Sequence, residues 1–319
     1  EGNARVNVST KFPVEIGPIH FIGIGGIGMS GIAEILINQG YSVQGSDLRK
    51  TEITSRLEEM GACIKVGHDR DNLENAVVVV ISSAINKDNP ELRHARAVGL
   101  PVVRRAEMLA ELMRMRSNVA IAGTHGKTTT TTLVATLLDE GGFDPTVING
   151  GIIHAYGSNA RAGTGEWMVV EADESDGTLF KLNPDYLIYL NVDREHLDFY
   201  KTYEALKSKI KKYIIKTSKK SKVFINIDDR YLKTLDTTSN NIITFSGKYH
   251  STYTYKIKSL NDTKSVFNFY FKKQIIKKDI TSPLLGEHNV QNLAAILSVL
   301  HDLNLDTNNN SIMKYKGTK

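Results

Sequence analysis

Cysteine is nearly absent from this 319-residue chain: Cys63 stands alone, so no internal disulfide can form, and a reducing cytoplasm is the expected compartment. Long apolar runs are also missing. The longest, AVVVVI at residues 76–81, falls far short of the roughly 20 residues a membrane helix needs. A membrane partner is therefore not expected. The opening stretch EGNARVNVSTKFPVEIG has neither an apolar signal core nor an initiating Met, so residues 1–16 read as disordered or tag-like rather than as a secretion signal. Low-complexity linkers and internal repeats are lacking too.

What is present describes a globular protein. Hydrophobic content of 41% and charged content of 24% suit a packed soluble fold, and the length suits two domains better than one core. The net charge of +5 is unevenly spread, with six lysines in residues 1–200 and twenty-one in 201–319. The densest run, KSKIKKYIIKTSKKSK at 207–222, sets lysines between Leu206, Ile210, Tyr213 and Ile214 at helical spacing. This is an amphipathic helix with a solvated basic face, and no nucleic-acid partner is expected from it.

Strand and helix patterns alternate along the chain. IHFIGIG reads as a strand, GMSGIAEILINQG as a helix ended by Gly40, and YSVQGSD as the next strand. A helix near 51–60, the strands CIKVGH and AVVVVIS, a helix over 90–98 and PVVRR continue the βαβ pattern of a parallel sheet. A second series opens with NVAIAGT and runs through EWMVVEAD, YLIYLNVD, KVFINI and NIITFSG. It closes with antiparallel ribbon between 252 and 280 and a helix in HNVQNLAAILSVLHDL. The expected fold is α/β: a Rossmann-like parallel-sheet domain over 17–117, then a phosphate-loop α/β ATPase domain over 118–316.

Two glycine clusters carry the chemistry. Gly23, Gly25 and Gly28 satisfy G-x-G-x-x-G between a strand and a helix, and Asp47 ends the following strand. Glycines let backbone approach an anion, and the helix N-terminus offers N–H groups and a positive dipole end. The pyrophosphate of NAD, FAD or a UDP-sugar would each fit; in an NAD enzyme Asp47 would take the adenosine ribose. The second cluster is Gly123-Thr124-His125-Gly126-Lys127-Thr128, where N–H groups can wrap phosphates, Lys127 can neutralise them and the Thr128 hydroxyl can ligate Mg²⁺. Ile121 stands where the usual first glycine would be, so the loop is a variant. Thr128 to Thr132 are poor helix formers, which hydroxyls facing a ligand would explain.

Downstream carboxylates and amides complete a nucleotide site. Glu171 stands at the end of the strand WMVVEADE, where a carboxylate can reach the phosphate loop. Asp193 and His196 close the next strand, and Asn289 and Asn292 share a helix face with amides suited to an adenine edge.

These segments together resemble the Mur ligases of bacterial cell-wall synthesis: IHFIGIGGIGMSGIAE, QGSD, SSAINKDNPE, VVRRAEMLAELMR, GTHGKTTT, VINGG, EADESDGT, NVDREHLD and GEHNVQNLAA. GIGGIGMS with GSD resembles the alanine-adding branch and a relative that attaches whole murein peptides; GTHGKTT marks only the wider superfamily, folylpolyglutamate synthase included. The resemblance implies that ATP phosphorylates the lactyl carboxylate of UDP-N-acetylmuramate and that L-alanine displaces phosphate from the acyl phosphate. ATP would be held by Gly123, Thr124, His125, Gly126, Lys127, Thr128 and Thr129, with Asn289 and Asn292 on adenine. Two Mg²⁺ ions are implied, one on Thr128 and Glu171 and one on His196, with Lys127, Glu171 and His196 as the catalytic set. UDP-sugar contacts would come from Gly25, Gly26, Ile27, Gly28, Met29, Ser30, Asp47, Ser82, Ser83 and Arg105. An NGG turn, Asn149-Gly150-Gly151, would approach the sugar with Ser175 and Asp176. Lys207 sits where some relatives carry a carbamoylated lysine, and is expected to be an ordinary one.

Family members continue into a further domain that closes over ATP, and residues 317–319 read as the start of the hinge toward it. The 319-residue chain is therefore expected to bind nucleotides and to turn over poorly or not at all, as a monomer or weak homodimer. A nicotinamide oxidoreductase would use the first glycine cluster but leave Lys127, Glu171 and His196 without a purpose.

Overall fold

A computed structural model describes residues 16–153, 158–175, 177–194, 201–305 and 312. Contacts divide it into two units, 1–116 and 117–319. In the first, strands β1 (Ile19–Ile22), β2 (Val43–Asp47), β3 (Cys63–Val66), β4 (Val78–Ile81) and β5 (Val102–Arg104) alternate with helices α1 (Ile27–Asn38), α2 (Glu52–Glu59), α3 (Pro90–Ala97) and α4 (Arg105–Arg114). All the strands pair in parallel in the order β3-β2-β1-β4-β5. The chain winds outward from β1 in both directions, so the carboxyl ends of β1 and β4 flank a switch point.

Sequence chemistry sets the helix ends. Thr51 and Thr54 form a capping box at the start of α2, and Asn89 caps α3 ahead of Pro90. α1 stops at Asn38, two residues before Gly40, whose φ of 92° ends the turn.

The second unit is built on ten strands: β6 (Ser117–Ala122), β7 (Thr146–Ile153), β8 (Ser158–Arg161), β9 (Trp167–Glu171), β10 (Tyr186–Tyr189), β11 (Lys222–Asn226), β12 (Ile242–Ser246), β13 (Tyr253–Leu260), β14 (Ser265–Phe271) and β15 (Gln274–Ser282). Their order is β15-β14-β13-β12-β11-β10-β6-β9-β7-β8. Strands from β12 through β7 run parallel, and β8, β14 and β15 pair antiparallel with their neighbours. Helices α5 (Lys127–Glu140) and α7 (Glu287–Asp302) pack on each other, and α6 (Tyr203–Ser218) packs on β11. β10 and β9 both flank β6, the first strand of the unit, so its carboxyl end is again a switch point.

The amphipathic reading of α6 holds: Leu206, Ile210, Tyr213 and Ile214 are buried. The ribbon expected at 252–280 is present, and Lys272 and Lys273 adopt positive φ at the β14–β15 hairpin. The NGG segment is not a turn. Asn149, Gly150 and Gly151 lie inside β7, where pairing with β8 shifts register between Ile148 and Ile153. Glycines mimic a turn in sequence, but here they fall at an irregularity inside a strand.

A buried polar network stiffens the first unit. His20, Ser46 and Glu91 are each 0% exposed. The Glu91 carboxylate accepts hydrogen bonds from His20 Nε2, Ser46 Oγ (2.8 Å), His68 Nδ1 (3.1 Å) and Asn72 Nδ2 (3.2 Å). Gln44 Nε2 donates to His20 Nδ1 (3.1 Å) and to the Asn72 carbonyl (3.1 Å), which leaves the proton of His20 on Nε2. One carboxylate thus ties α3 to β1, β2 and the segment after β3.

Burial alone would raise the Glu91 carboxyl, but hydrogen bonds from His20, Ser46 and Asn72 outweigh it and hold it below the ordinary value. Its stabilising contribution is complete above the unfolded value of about 4.5 and is lost as pH falls through the lower folded value. Glu91→Gln is expected to cost about 3 kcal/mol at pH 7 and to flatten the acid limb of the stability curve. Circular dichroism during urea unfolding at several pH values measures both, since the single tryptophan, Trp167, lies in the other unit.

Candidate functional site

In the first unit, the chain leaves β1 through Gly23 at φ 77°, and the N–H groups of Gly23 and Ile24 both donate to the Ser46 carbonyl of β2 (2.9 and 3.0 Å). The Gly25 N–H donates to Asp47 Oδ2 at 2.7 Å. A Cβ on Gly25 would lie 2.8 Å from that oxygen and 2.9 Å from Thr54 Cγ2, so the turn closes only around glycine. Asp47 Oδ1 takes the Leu48 N–H (2.7 Å). Asp47 is thus placed at the turn, with its carboxylate committed to backbone.

α1 has no side-chain cap at its N-terminus. Over Gly28, Arg105 lies so close that a Cβ would meet its guanidinium at 2.6 Å. A guanidinium beside a helix N-terminus is an anion site by charge and by N–H supply. Met29 and Ser30 are buried in α1, while Ile27 is exposed. Ser82 and Ser83 follow β4, and Ile85 from the same loop would contact a Cβ on Gly23 at 3.3 Å. The structure gathers the glycine turn, Asp47, Ser82, Ser83 and Arg105 at one sheet edge.

In the second unit the chain leaves β6 through Gly123, at φ 144°, and enters α5 through Gly126, at φ 82°. Asn191, just after β10, holds the loop between them: its carbonyl accepts the Thr124 N–H (3.2 Å), its Oδ1 accepts the His125 N–H (2.8 Å), and its Nδ2 donates to the His125 carbonyl (3.0 Å). The Asp193 N–H donates to Thr124 Oγ1 (2.9 Å), and His125 Nε2 lies 3.4 Å from Asp193 Oδ2. The N–H groups of Thr124 and His125 therefore belong to the protein. Those at the start of α5, from Gly126 to Thr129, have no acceptor within the helix by its geometry, which is the arrangement an anion can use.

Lys127 is buried, with Nζ bonded to the Gly123 carbonyl (2.7 Å) and 4.0 Å from Asp173 Oδ1. Thr128 Oγ1 lies 3.3 and 3.2 Å from the two oxygens of Glu171, which ends β9. A hydroxyl and a carboxylate side by side form a hard oxygen donor pair that fits Mg²⁺. Among the described residues there is no cluster of three or more His, Cys, Asp or Glu able to hold a metal. His196 and Asp176 lie outside the described residues.

The threonine run behaves differently from expectation. Thr129 is half-buried, but Thr130 and Thr131 are fully buried and Thr132 donates to the Thr128 carbonyl (2.9 Å). Only Thr128 and Thr129 sit where a ligand can reach; the rest pack into the protein, and of these Thr132 spends its hydroxyl on the preceding turn while those of Thr130 and Thr131 find no hydrogen-bond partner among the described residues. Asn149 is likewise buried, with Nδ2 3.4 Å from Thr132 Oγ1. Ser175 is occupied by Asp173, to which its N–H and hydroxyl both donate.

α7 brings its N-terminus to the phosphate loop. Asn292 is 7% exposed, and a Cβ on Gly126 would meet its carboxamide at 3.1 Å. Asn289 Nδ2 donates to the Leu285 carbonyl (2.8 Å), so this amide closes the helix's first turn. Lys207 pairs with Glu204 (2.7 Å) and lies over the rings of Tyr203 and Tyr231.

Two family models cover this architecture: "Mur ligase family, catalytic domain" matches residues 18–117 and "Mur ligase middle domain" matches residues 121–300. The chain belongs to the Mur ligase family. Among curated Mur ligases, a UDP-N-acetylmuramate–L-alanine ligase of Dinoroseobacter shibae is 51% identical over 94% of this chain and 65% of its own length. One from Rhodopseudomonas palustris is 50% identical over 97% of this chain and 68% of its own length. The chain thus spans about two thirds of the length of these relatives. The crystal structure of a UDP-N-acetylmuramate–alanine ligase from Thermotoga maritima superposes with a TM-score of 0.81 at 30% identity, over 95% of this chain and 69% of that one. Among the described residues no helix is long and apolar enough to cross a membrane.

Two residues of this Mur ligase site escaped the sequence reading. Asn191 was hidden beside the more chemical Asp193 and His196. Glu174, three residues past Glu171, is 1% exposed. Burial raises its carboxyl to about 7, against the lowering effect of Lys127 and of bonds that include one from Thr124. A doubled acid in EADE was the available signal.

Because the folded value lies above the unfolded 4.5, the native state keeps a proton that the unfolded chain releases between about 4.5 and 7. Stability should therefore fall as pH rises through that window. Glu174→Gln is expected to remove this slope and to be more stable than the parent at pH 8, by at most about 3 kcal/mol, with little difference at pH 4. Melting temperatures of the ligand-free pair across this range check the sign.

Proposed function

We propose that this chain carries the UDP-sugar-binding and ATP-binding parts of an enzyme that joins L-alanine to the lactyl carboxylate of UDP-N-acetylmuramate at the expense of ATP. The observation that carries the reading is the phosphate loop at the β6 switch point, with a buried Lys127 ammonium and the Thr128–Glu171 oxygen pair beside it. The first glycine turn, with Arg105 over α1, supplies a separate anion site for the diphosphate of the UDP-sugar. The printed names of relatives at about half identity support the choice of sugar and amino acid.

Each residue then has a part. The first-turn N–H groups of α5 orient the phosphates, and Lys127, by leaving the Gly123 carbonyl, neutralises charge on the phosphoryl group that moves. Thr128 and Glu171 would hold one Mg²⁺, which supplies charge neutralisation on the phosphate oxygens. His196 is proposed for a second ion, and Asn289 with Asn292 for the adenine edge. Gly25 to Ser30, Asp47, Ser82, Ser83 and Arg105 are proposed to hold the UDP-sugar, with Ser175, Asp176 and the β7 glycines, Gly150 and Gly151, toward the sugar.

Calorimetric titration with UDP-N-acetylmuramate and with Mg-ATP is expected to give two independent binding events, and NADH none. Lys127→Ala should weaken Mg-ATP by about 2 kcal/mol or more, some thirtyfold, and leave the UDP-sugar unchanged. Binding of NADH alone, or equal loss of both ligands, would contradict the assignment.

A further inference from the structure

We infer that Asn191 is a positioning residue for phosphate binding: its carboxamide, paired with both backbone groups of His125, sets the geometry in which the start of α5 meets a nucleotide's phosphates. The inference rests on the nucleotide reading of this loop and names what governs it.

The carboxamide acts as a short piece of β-ladder. Its Oδ1 takes the His125 N–H at 2.8 Å and its Nδ2 reaches the His125 carbonyl at 3.0 Å, so one side chain satisfies both polar groups of one residue. The next residue, Gly126, has the left-handed φ of 82° from which α5 departs. Fixing His125 on both sides fixes the peptide that leads into that turn, and with it the direction of the N–H groups of Gly126, Lys127 and Thr128. Gly123 is held from the same side, since a Cβ there would touch Leu190 Cβ at 3.0 Å and Asn191 N at 3.3 Å.

Neither an acidic nor a hydroxyl replacement of the same reach or shorter does both jobs at this site. Aspartate keeps an acceptor for the His125 N–H but sets a second oxygen against the His125 carbonyl, and serine cannot span the two groups. The carbonyl of Asn191 still takes the Thr124 N–H after any substitution, so the loop stays attached to β10 while its far half loses its orientation. The first unit uses the same device with different chemistry: there the Gly25 N–H donates to the Asp47 carboxylate at 2.7 Å, and that side chain is an acceptor only.

The test is phosphate-specific. Mg-ADP affinity by calorimetry and adenosine affinity by ligand-observed NMR are compared for the parent chain, Asn191→Asp and Asn191→Ser, with circular dichroism melting as the check on folding. The expected result is a loss of about tenfold or more in Mg-ADP affinity with adenosine affinity within about twofold, because only the phosphates read the loop. Equal weakening of both ligands would show a general structural role and overturn the inference, as would unchanged Mg-ADP binding in both variants. Should Asn191→Asp fail to fold, Asn191→Ser decides by the same comparison. If the parent chain itself binds no Mg-ADP, the nucleotide reading fails, and with it this role for Asn191.

Discussion

Both candidate sites depend on one backbone problem and one kind of solution. A chain that leaves a parallel strand and turns at once into a helix carries several N–H groups past the end of the ladder, and each must find an acceptor or water. In each unit the neighbouring strand's carboxyl end supplies acceptors for the first of them: the Ser46 carbonyl and Asp47 in one, the Asn191 carbonyl and carboxamide in the other. What remains is the first turn of a helix with its N–H groups directed outward from the sheet edge. An anion site is the residue of that bookkeeping, and the switch-point topology of β1 and β6 determines where it falls.

Charge is then added to each site in a different way. At α1 it comes from Arg105, a guanidinium that packs over Gly28 and needs no loop of its own. At α5 it comes from Lys127, buried and bonded to the loop it serves, with Asp173 and Glu174 close to it. A compact ammonium on a flexible stem can change partners as phosphate arrives, whereas a planar fork is suited to a fixed diphosphate. The difference matches the proposed division of labour between a group that is held and a group that is transferred.

Much of this was legible in the sequence where the signal was local. Glycine spacing after an apolar strand located both turns, and the buried stripe of α6 followed from Leu206, Ile210, Tyr213 and Ile214. The errors share a cause. NGG and the threonine run were judged by residue type alone, yet Asn149 is buried beside Thr132, and Thr130 and Thr131 face the interior. The braces were invisible for a related reason. Asn191 meets His125 across 66 positions, and Glu91 meets His20 across 71, distances over which propensity and periodicity carry no information.

The central claim is that the phosphate loop is divided, with Thr124 and His125 committed to Asn191 and the amides from Gly126 to Thr129 left for phosphate. Amide-resolved NMR of the chain with and without Mg-ADP tests it most directly. The account predicts that the amides of Thr124 and His125 are protected from exchange in both states, and that the largest shifts on adding Mg-ADP fall on Gly126 to Thr129. Rapid exchange at Thr124 and His125 in the ligand-free chain, with their shifts exceeding those at the start of α5, would contradict it.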